Sequence, residues 1–305
     1  MASSELFDTG YRRRIFFGSA IAGLVALVSL RFFVLHRFGG QTLPLPNILS
    51  SIIDNLLVAL IASIAVTALV IWLTPPVMKT AVMEVVEPFR IRETLHQALD
   101  RTDEWWYRGH SGRHFRAVTL PQLAADARAG NVSKKVFLLI LNPTRSETCS
   151  YYALYRQRLR SAKRDKPWTP ERVLIELNVT IVVAYAWKAQ EPSLDIVVAL
   201  IDTVSLFRID LSSRLALITK EEPQEPALRC DEGTFFYKSF REDLLSSLQQ
   251  ARVLPKDING IPLEQLSIEG VKDLLNKLGL ENQNLSDQAI SEIITLAKKA
   301  ENPYV

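Results

Sequence analysis

Two apolar runs near the N-terminus constrain this chain more than any other feature. Ile15 to Leu35 carries a single charge, Arg31, and Ser51 to Leu73 is interrupted only by Asp54 and Asn55. Each run is about 20 residues, and as a helix it covers roughly the 30 Å of a bilayer's hydrocarbon core. The expectation is two transmembrane helices joined as an N-terminal hairpin over residues 1–76. Arg12, Arg13 and Arg14 resemble the basic start of a secretory signal. However, the apolar core is long, no small-residue cleavage site follows it, and Arg31 to Leu35 continues the helix, so a retained anchor is expected.

Orientation follows from the flanking charge. Arg12 to Arg14 precede the first run, and Lys79, Arg90 and Arg92 follow the second. The loop between them, His36 to Ser50, holds only Arg37 and is rich in Pro and Gly. The positive-inside rule then places both termini in the cytoplasm and the loop outside, in a multi-pass membrane protein. Pro75 and Pro76 end the second helix, because proline cannot continue one without strain.

Charges inside a span are costly and need a reason. Arg31 and Asp54 fall at similar depth, so they can pair, snorkel separately to the headgroups, or form a polar ring inside an oligomer. Small residues also recur at helical spacing. Gly18, Ala22 and Ala26 do so on the first helix, and Ala59, Ser63 and Thr67 on the second. Such faces let backbones approach closely, within one hairpin or between copies. Two helices cannot enclose a pore, so a pore needs a homo-oligomer in the lipid bilayer.

Beyond residue 76 the pattern is that of a soluble protein. Residues 77–104 read as a juxtamembrane helical linker, with helix from Val77 to Arg101 broken near Pro88. Residues 105–254 alternate strand and helix signals. Trp105 to Tyr107 and the continuous apolar run Val136 to Leu141 read as strands, the second buried on both faces. Leu120 to Ala129 is a helix, Ser146 is a candidate N-cap for helix Glu147 to Lys163, and Thr169-Pro170 opens a helix toward Trp187. Strands are expected at Leu194 to Ile201, Val204 to Ile209 and Leu215 to Thr219, with a loop at Glu221 to Glu225 and a closing helix at Phe240 to Ala251. The order implies a cytoplasmic α/β domain with a mixed sheet. Residues 255–305 form a small helical tail, capped at Ser267 and Ser286, with Val271, Leu274, Leu275 and Leu278 on one apolar face.

No catalytic signature is present: there is no phosphate-binding Walker loop, GxSxG, HExxH or CxxC pair. Cys149 and Cys230 are far apart, so a disulfide, a metal site and a cofactor are not expected. The formal net charge is only +3, so any basic patch is local. One such patch is Arg108 to Arg116, where Arg108, His110, Arg113, His114 and Arg116 flank two glycines. A loop of this kind can hold an anion, or lie against anionic headgroups. A second holds Arg156, Arg160, Lys163 and Arg164 beside Tyr151, Tyr152 and Tyr155, with Arg156 and Arg160 on one helical face and Tyr151 and Tyr155 on one face as well. Arginine with aromatic residues can contact single-stranded nucleic acid; the alternative is an aromatic core face with solvated charges.

Three stretches resemble the opening of a phospholipase D-like domain: Gly112-Arg113-His114-Phe115-Arg116, then Leu120 to Leu123, then Val136 to Pro143. Ile196 to Ile201, Val204 to Asp210, Leu215 to Thr219 and Phe236 to Phe240 extend the likeness, which covers roughly residues 105–252. That family's signature is His-x-Lys with a downstream Asp. The matching stretch here is Leu206-Phe207-Arg208-Ile209-Asp210, without histidine, so a covalent phosphohistidine has no nucleophile there. The resemblance thus implies a catalytically degenerate, non-enzymatic sensor or scaffold with no catalytic residues. Joined to a two-helix hairpin, it resembles bacterial anti-phage membrane effectors, in particular those encoded beside retron reverse transcriptases. What this implies is a toxin of abortive infection, held silent by a partner such as a reverse transcriptase with its DNA–RNA hybrid, that damages the inner membrane when released. The competing expectations are an anchored phosphodiesterase or nuclease using His110 or His114, and a ligand-gated effector binding a nucleotide near Arg108, Arg113 and Arg116.

Overall fold

The structure, a computed structural model, describes residues 10–38, 44–73, 81–164, 167–283 and 285–299. Pro75, Pro76 and Lys79 lie outside the described residues. Two compact units are present, Met1–Ala81 and Val82–Val305.

In the first unit, α1 (Gly10–Phe38) and α2 (Pro44–Leu73) lie antiparallel. A Cβ on Gly23 would stand 3.8 Å from Leu60, and Arg31 pairs with Asp54 eight residues along α1. Ser50–Val70, 21 residues, is long and apolar enough to cross a membrane; the apolar stretch of α1, Phe17–Phe33, is shorter.

The second unit is an α/β domain on one eight-stranded mixed sheet. Its strands are β1 (Glu84–Val86), β2 (Glu104–Arg108), β3 (Lys134–Leu141), β4 (Leu194–Ile201), β5 (Arg208–Ser212), β6 (Leu215–Thr219), β7 (Ala227–Asp231) and β8 (Arg252–Val253). Their order is β1-β7-β6-β5-β2-β3-β4-β8. The pairs β2–β3 and β3–β4 are parallel and the other pairs antiparallel. The helices are α3 (Ile91–Leu99), α4 (Leu120–Gly130), α5 (Ser146–Arg158), α6 (Pro170–Gln190), α7 (Phe235–Gln250), α8 (Ile268–Lys277) and α9 (Asp287–Lys298).

Strand alternation divides the core. Trp105, Tyr107, Leu138 and Ile140 face one side, with α4, α6, α8 and α9; Trp106 and Leu139 face the other, closed by Tyr237 and Leu244 of α7. The central helix α6 is buried through Leu177 to Ala186, which is why its sequence has no polar stripe. Thr169 caps it, accepting a hydrogen bond from the Arg172 amide at 3.2 Å. Ser267 and Ser286 cap α8 and α9 in the same way. Leu274, Leu275, Ile290 and Ile293 join the core that holds the sheet, so the C-terminal helices dock on the domain. A Cβ at Gly260 would overlap the Tyr185 carbonyl oxygen, which fixes glycine where the chain crosses α6.

Several elements depart from expectation. The linker read as helix from Val77 contains strand β1, paired with β7 at one edge of the sheet. Pro88 holds Glu87 extended, which favours a strand ending there over a helix passing through. The strand expected at Val204 to Ile209 begins four residues later, at Arg208. Ser146 sits inside α5 rather than capping it, and Asn142 orders the preceding turn by accepting from the Thr144 amide at 3.1 Å. Strands β7 and β8 are additional.

Candidate functional site

The loop that follows β2 does not gather its charges into one site. Arg108 is the last residue of β2 and faces α7, where Nη1 is 2.7 Å from Asp243 and donates to Ser247 at 2.8 Å. Arg113 and Arg116 turn instead to Glu176 of α6. Arg113 Nε stands 3.4 Å from its carboxylate and Arg116 pairs with it closely. Arg116 also donates to the Glu176 carbonyl at 3.1 Å and to Thr180 Oγ1 at 2.9 Å. Burial would push the Arg116 guanidinium down, and the Glu176 carboxylate works against that. Gly112, at φ +69°, brings the backbone against Thr180. The charges of the expected anion loop are therefore separated: period-two alternation sends Arg108 to one face of the sheet, and a single buried glutamate engages both Arg113 and Arg116.

His110 enters the core, 1% exposed. Its Nε2 contacts the Ser205 carbonyl oxygen at 2.5 Å, and its Nδ1 is 3.1 Å from Glu221. The ring stacks on Tyr152 with centroids 4.6 Å apart. The Tyr152 hydroxyl donates to Glu221 at 2.8 Å, and Arg156 reaches the same carboxylate at 3.5 Å. Burial opposes ionisation of Glu221, but His110, Arg156 and Tyr152 outweigh it and hold the carboxyl down to about 2. Desolvation, and then Glu221, push the Tyr152 phenol well up. Arg156 lies over the Trp168 ring at 4.7 Å, and Arg172 over it at 4.3 Å. This is a closed polar network; a substrate reaches the imidazole only if the Tyr152 stack opens.

The second basic run does not form a continuous face. The helix α5 ends at Arg158, and Leu159 is extended, so Arg160 falls in a following turn. Arg156 is buried in the network, whereas Arg160 is exposed. The side chains of Lys163 and Arg164 lie outside the described residues. Tyr151 and Tyr155 lie one turn apart on α5, the first exposed and the second half-buried. In the stretch that lacks the phospholipase D histidine, Arg208 and Asp210 form a buried pair at 3.0 Å. Burial raises the Asp210 carboxyl, against the pull of Arg208.

In the hairpin, Gly18, Ala22 and Ala26 lie exposed, and nothing stands within 4 Å of a Cβ at Gly18. Ala59 and Ser63 are exposed and Thr67 is half-buried. Arg31 and Asp54 pair within the chain, with side chains 41% and 43% exposed. Among the described residues no group of three metal-ligating side chains gathers. Cys149 and Cys230 are free and buried, which raises both thiols to about 11, with Asp231 adding to the effect at Cys230.

Sequence reasoning missed Glu176, Glu221 and Trp168, and it named Tyr152 and Arg208 without the partners they meet. Glu176 had a signal, a lone carboxylate inside the apolar run Val173 to Val183. Glu221 had none, since it reads as part of a polar loop and meets Tyr152 across 69 positions.

No family model and no curated protein matches the chain. Among solved structures, it is similar to TrmBL2, an archaeal chromatin protein described as showing a novel mode of DNA binding. The identity is 13%, the match covers 68% of this chain and 69% of that one, and the TM-score is 0.33.

Proposed function

We propose that this chain is a non-enzymatic membrane effector: α1 and α2 cross a bacterial inner membrane as a hairpin, and copies assemble through it. The observation that carries the reading is the outward position of Gly18, Ala22 and Ala26. The hairpin's own contacts leave that seam open, and a small-residue seam in lipid favours close approach of another helix. The surroundings of the seam are apolar as well. Ile21, Phe32, Val58 and Val66 are 58–68% exposed, which suits lipid rather than water. The internal Arg31–Asp54 pair offsets two charges that would otherwise each be costly at that depth.

The α/β domain then acts as the restraining and sensing part. Two observations support a non-enzymatic reading: the stretch that resembles the phospholipase D signature without its histidine holds a buried Arg208–Asp210 pair, and His110 is enclosed. The biological role we infer is that of an anti-phage toxin with both termini cytoplasmic. It is held inactive by a partner complex, such as a reverse transcriptase with its DNA–RNA hybrid, and disrupts the membrane on release. The test is expression in bacteria, with and without neighbouring genes, followed by a voltage-sensitive dye. The full chain should depolarise cells, a neighbouring product should suppress this, and Gly18→Leu with Ala22→Leu should abolish it. Ile21→Leu, exposed but about 100° around the helix from Ala22, serves as the control. Full depolarisation by the Gly18→Leu/Ala22→Leu variant sinks the proposal.

A further inference from the structure

In the α/β domain, α3 packs beside β5 and β6 and encloses a pocket of about 260 Å³. Five basic side chains line it from separate stretches of chain: Arg92 and His96 of α3, His114 before α4, Arg208 of β5 and Lys220 just beyond β6. Helical spacing puts Arg92 and His96 on one face of α3. The acidic side chain in the lining, Glu222, is engaged elsewhere, accepting from the Arg160 amide at 2.9 Å and the Ser161 amide at 3.4 Å. Lys220 has an exposed partner in Glu225 at 3.7 Å, a contact of little strength. Arg208 is backed by Asp210, which holds its guanidinium in place.

Two further observations point to an anionic occupant. Thr219 lines the pocket, is 3% exposed, and its Oγ1 has no hydrogen-bond partner. A buried hydroxyl left in that state is costly unless a ligand or water completes it. The local field is also positive. Burial first, then Arg208, Arg92 and His96, push the His114 imidazole down to about 3. The remaining wall is apolar, formed by Ile91, Leu95, Leu99 and Val118.

We propose that this pocket binds a small organic phosphate. Its charged group sits among Arg92, Arg208 and Lys220, Thr219 Oγ1 donates to it, and its apolar part rests on Ile91, Leu95 and Val118. Cations approaching from separate directions suit a tetrahedral dianion better than a planar carboxylate. The volume suits a ligand smaller than most drug-sized molecules. This site is independent of the hairpin, so its test stands whichever way the depolarisation assay falls.

The probe is phenyl phosphate, titrated by calorimetry into the full chain in neutral detergent, beside inorganic phosphate, phenol and a short-chain phosphatidate. Phenyl phosphate should bind at least tenfold more tightly than inorganic phosphate or phenol. Tighter binding of the phosphatidate assigns the site to a lipid phosphate, and the reverse order to a soluble one. Arg92→Gln with Lys220→Gln changes only exposed positions and should weaken binding at least tenfold. Thr219→Val should weaken it several-fold without lowering the melting temperature, a split that a merely structural hydroxyl would not produce. Affinity unchanged in the Arg92→Gln/Lys220→Gln variant, or phenyl phosphate binding no tighter than inorganic phosphate, overturns the proposal.

Discussion

Replacing Glu221 with glutamine should unfold the α/β domain more readily than any surface change of the same size. The carboxylate is 13% exposed and faces two buried side chains, the His110 imidazole at 1% and the Arg156 guanidinium at 11%. Its displacement from 4.5 to about 2 corresponds to about 3 kcal/mol in favour of the ionised form in the fold. The sign follows from the direction. A carboxyl held below its unfolded value contributes fully above pH 4.5, and the contribution fades as pH falls toward 2. Glu221→Gln removes that contribution and leaves Arg156 buried against a neutral amide, so the expected loss is about 3–5 kcal/mol near neutral pH. The assay is denaturant unfolding of the full chain in detergent, followed by tryptophan fluorescence at pH 7, 5, 4 and 3. The gap between wild type and variant should be widest at pH 7 and 5 and should narrow as pH falls below 4.5. A gap under about 1 kcal/mol at pH 7, or one that does not change with pH, would refute the reasoning.

Two further perturbations follow from packing. Gly260→Ala places a methyl group on the Tyr185 carbonyl oxygen, so the loop between β8 and α8 must move; we expect a loss of about 1–3 kcal/mol, measured by the same unfolding experiment. Burial raises the Cys149 and Cys230 thiols from 9 to about 11, so alkylation by iodoacetamide at pH 8 should run about 100-fold slower than at an exposed thiol, as read by mass spectrometry. Denaturant should restore the ordinary rate, and fast labelling of the native chain would contradict the burial.

Much of the α/β domain was legible because its signals are local. The run Val136 to Leu141 reads as a doubly buried strand, and β3 is one, flanked by β2 and β4. Ser267 and Ser286 read as caps, and each accepts the hydrogen bond expected of it; Thr169-Pro170 reads as a helix start, and α6 begins at Pro170. What failed was non-local. Strand β1 is three residues long and exists because β7 pairs with it, a partner 143 positions from Val85 in the pairing with Leu228. The loop Arg108 to Arg116 looked like an anion site because charge density along the chain resembles charge density in space. The backbone then distributed it: Arg108 to one face of the sheet, His110 to Glu221, Arg113 and Arg116 to Glu176. The basic pocket was hidden for the opposite reason, since Arg92, His114, Arg208 and Lys220 are scattered through the sequence and nothing local brings them together.

The pocket and the buried network meet in one short segment after β6. Lys220 lines the pocket, Glu221 holds His110, Tyr152 and Arg156, and Glu222 ties down the backbone at Arg160 and Ser161. Three consecutive side chains thus connect the pocket, the core and the turn after α5. A ligand that engages Lys220 acts on a segment whose next residue carries about 3 kcal/mol of buried electrostatics, so the segment resists displacement. Loss of Glu221 should therefore weaken phosphate binding in the pocket even though its carboxylate points away from the ligand. Calorimetry on Glu221→Gln with phenyl phosphate, at a temperature where that variant remains folded, measures this coupling. Equal affinity in the variant and the wild type would show that the pocket is held by α3 and β5 alone.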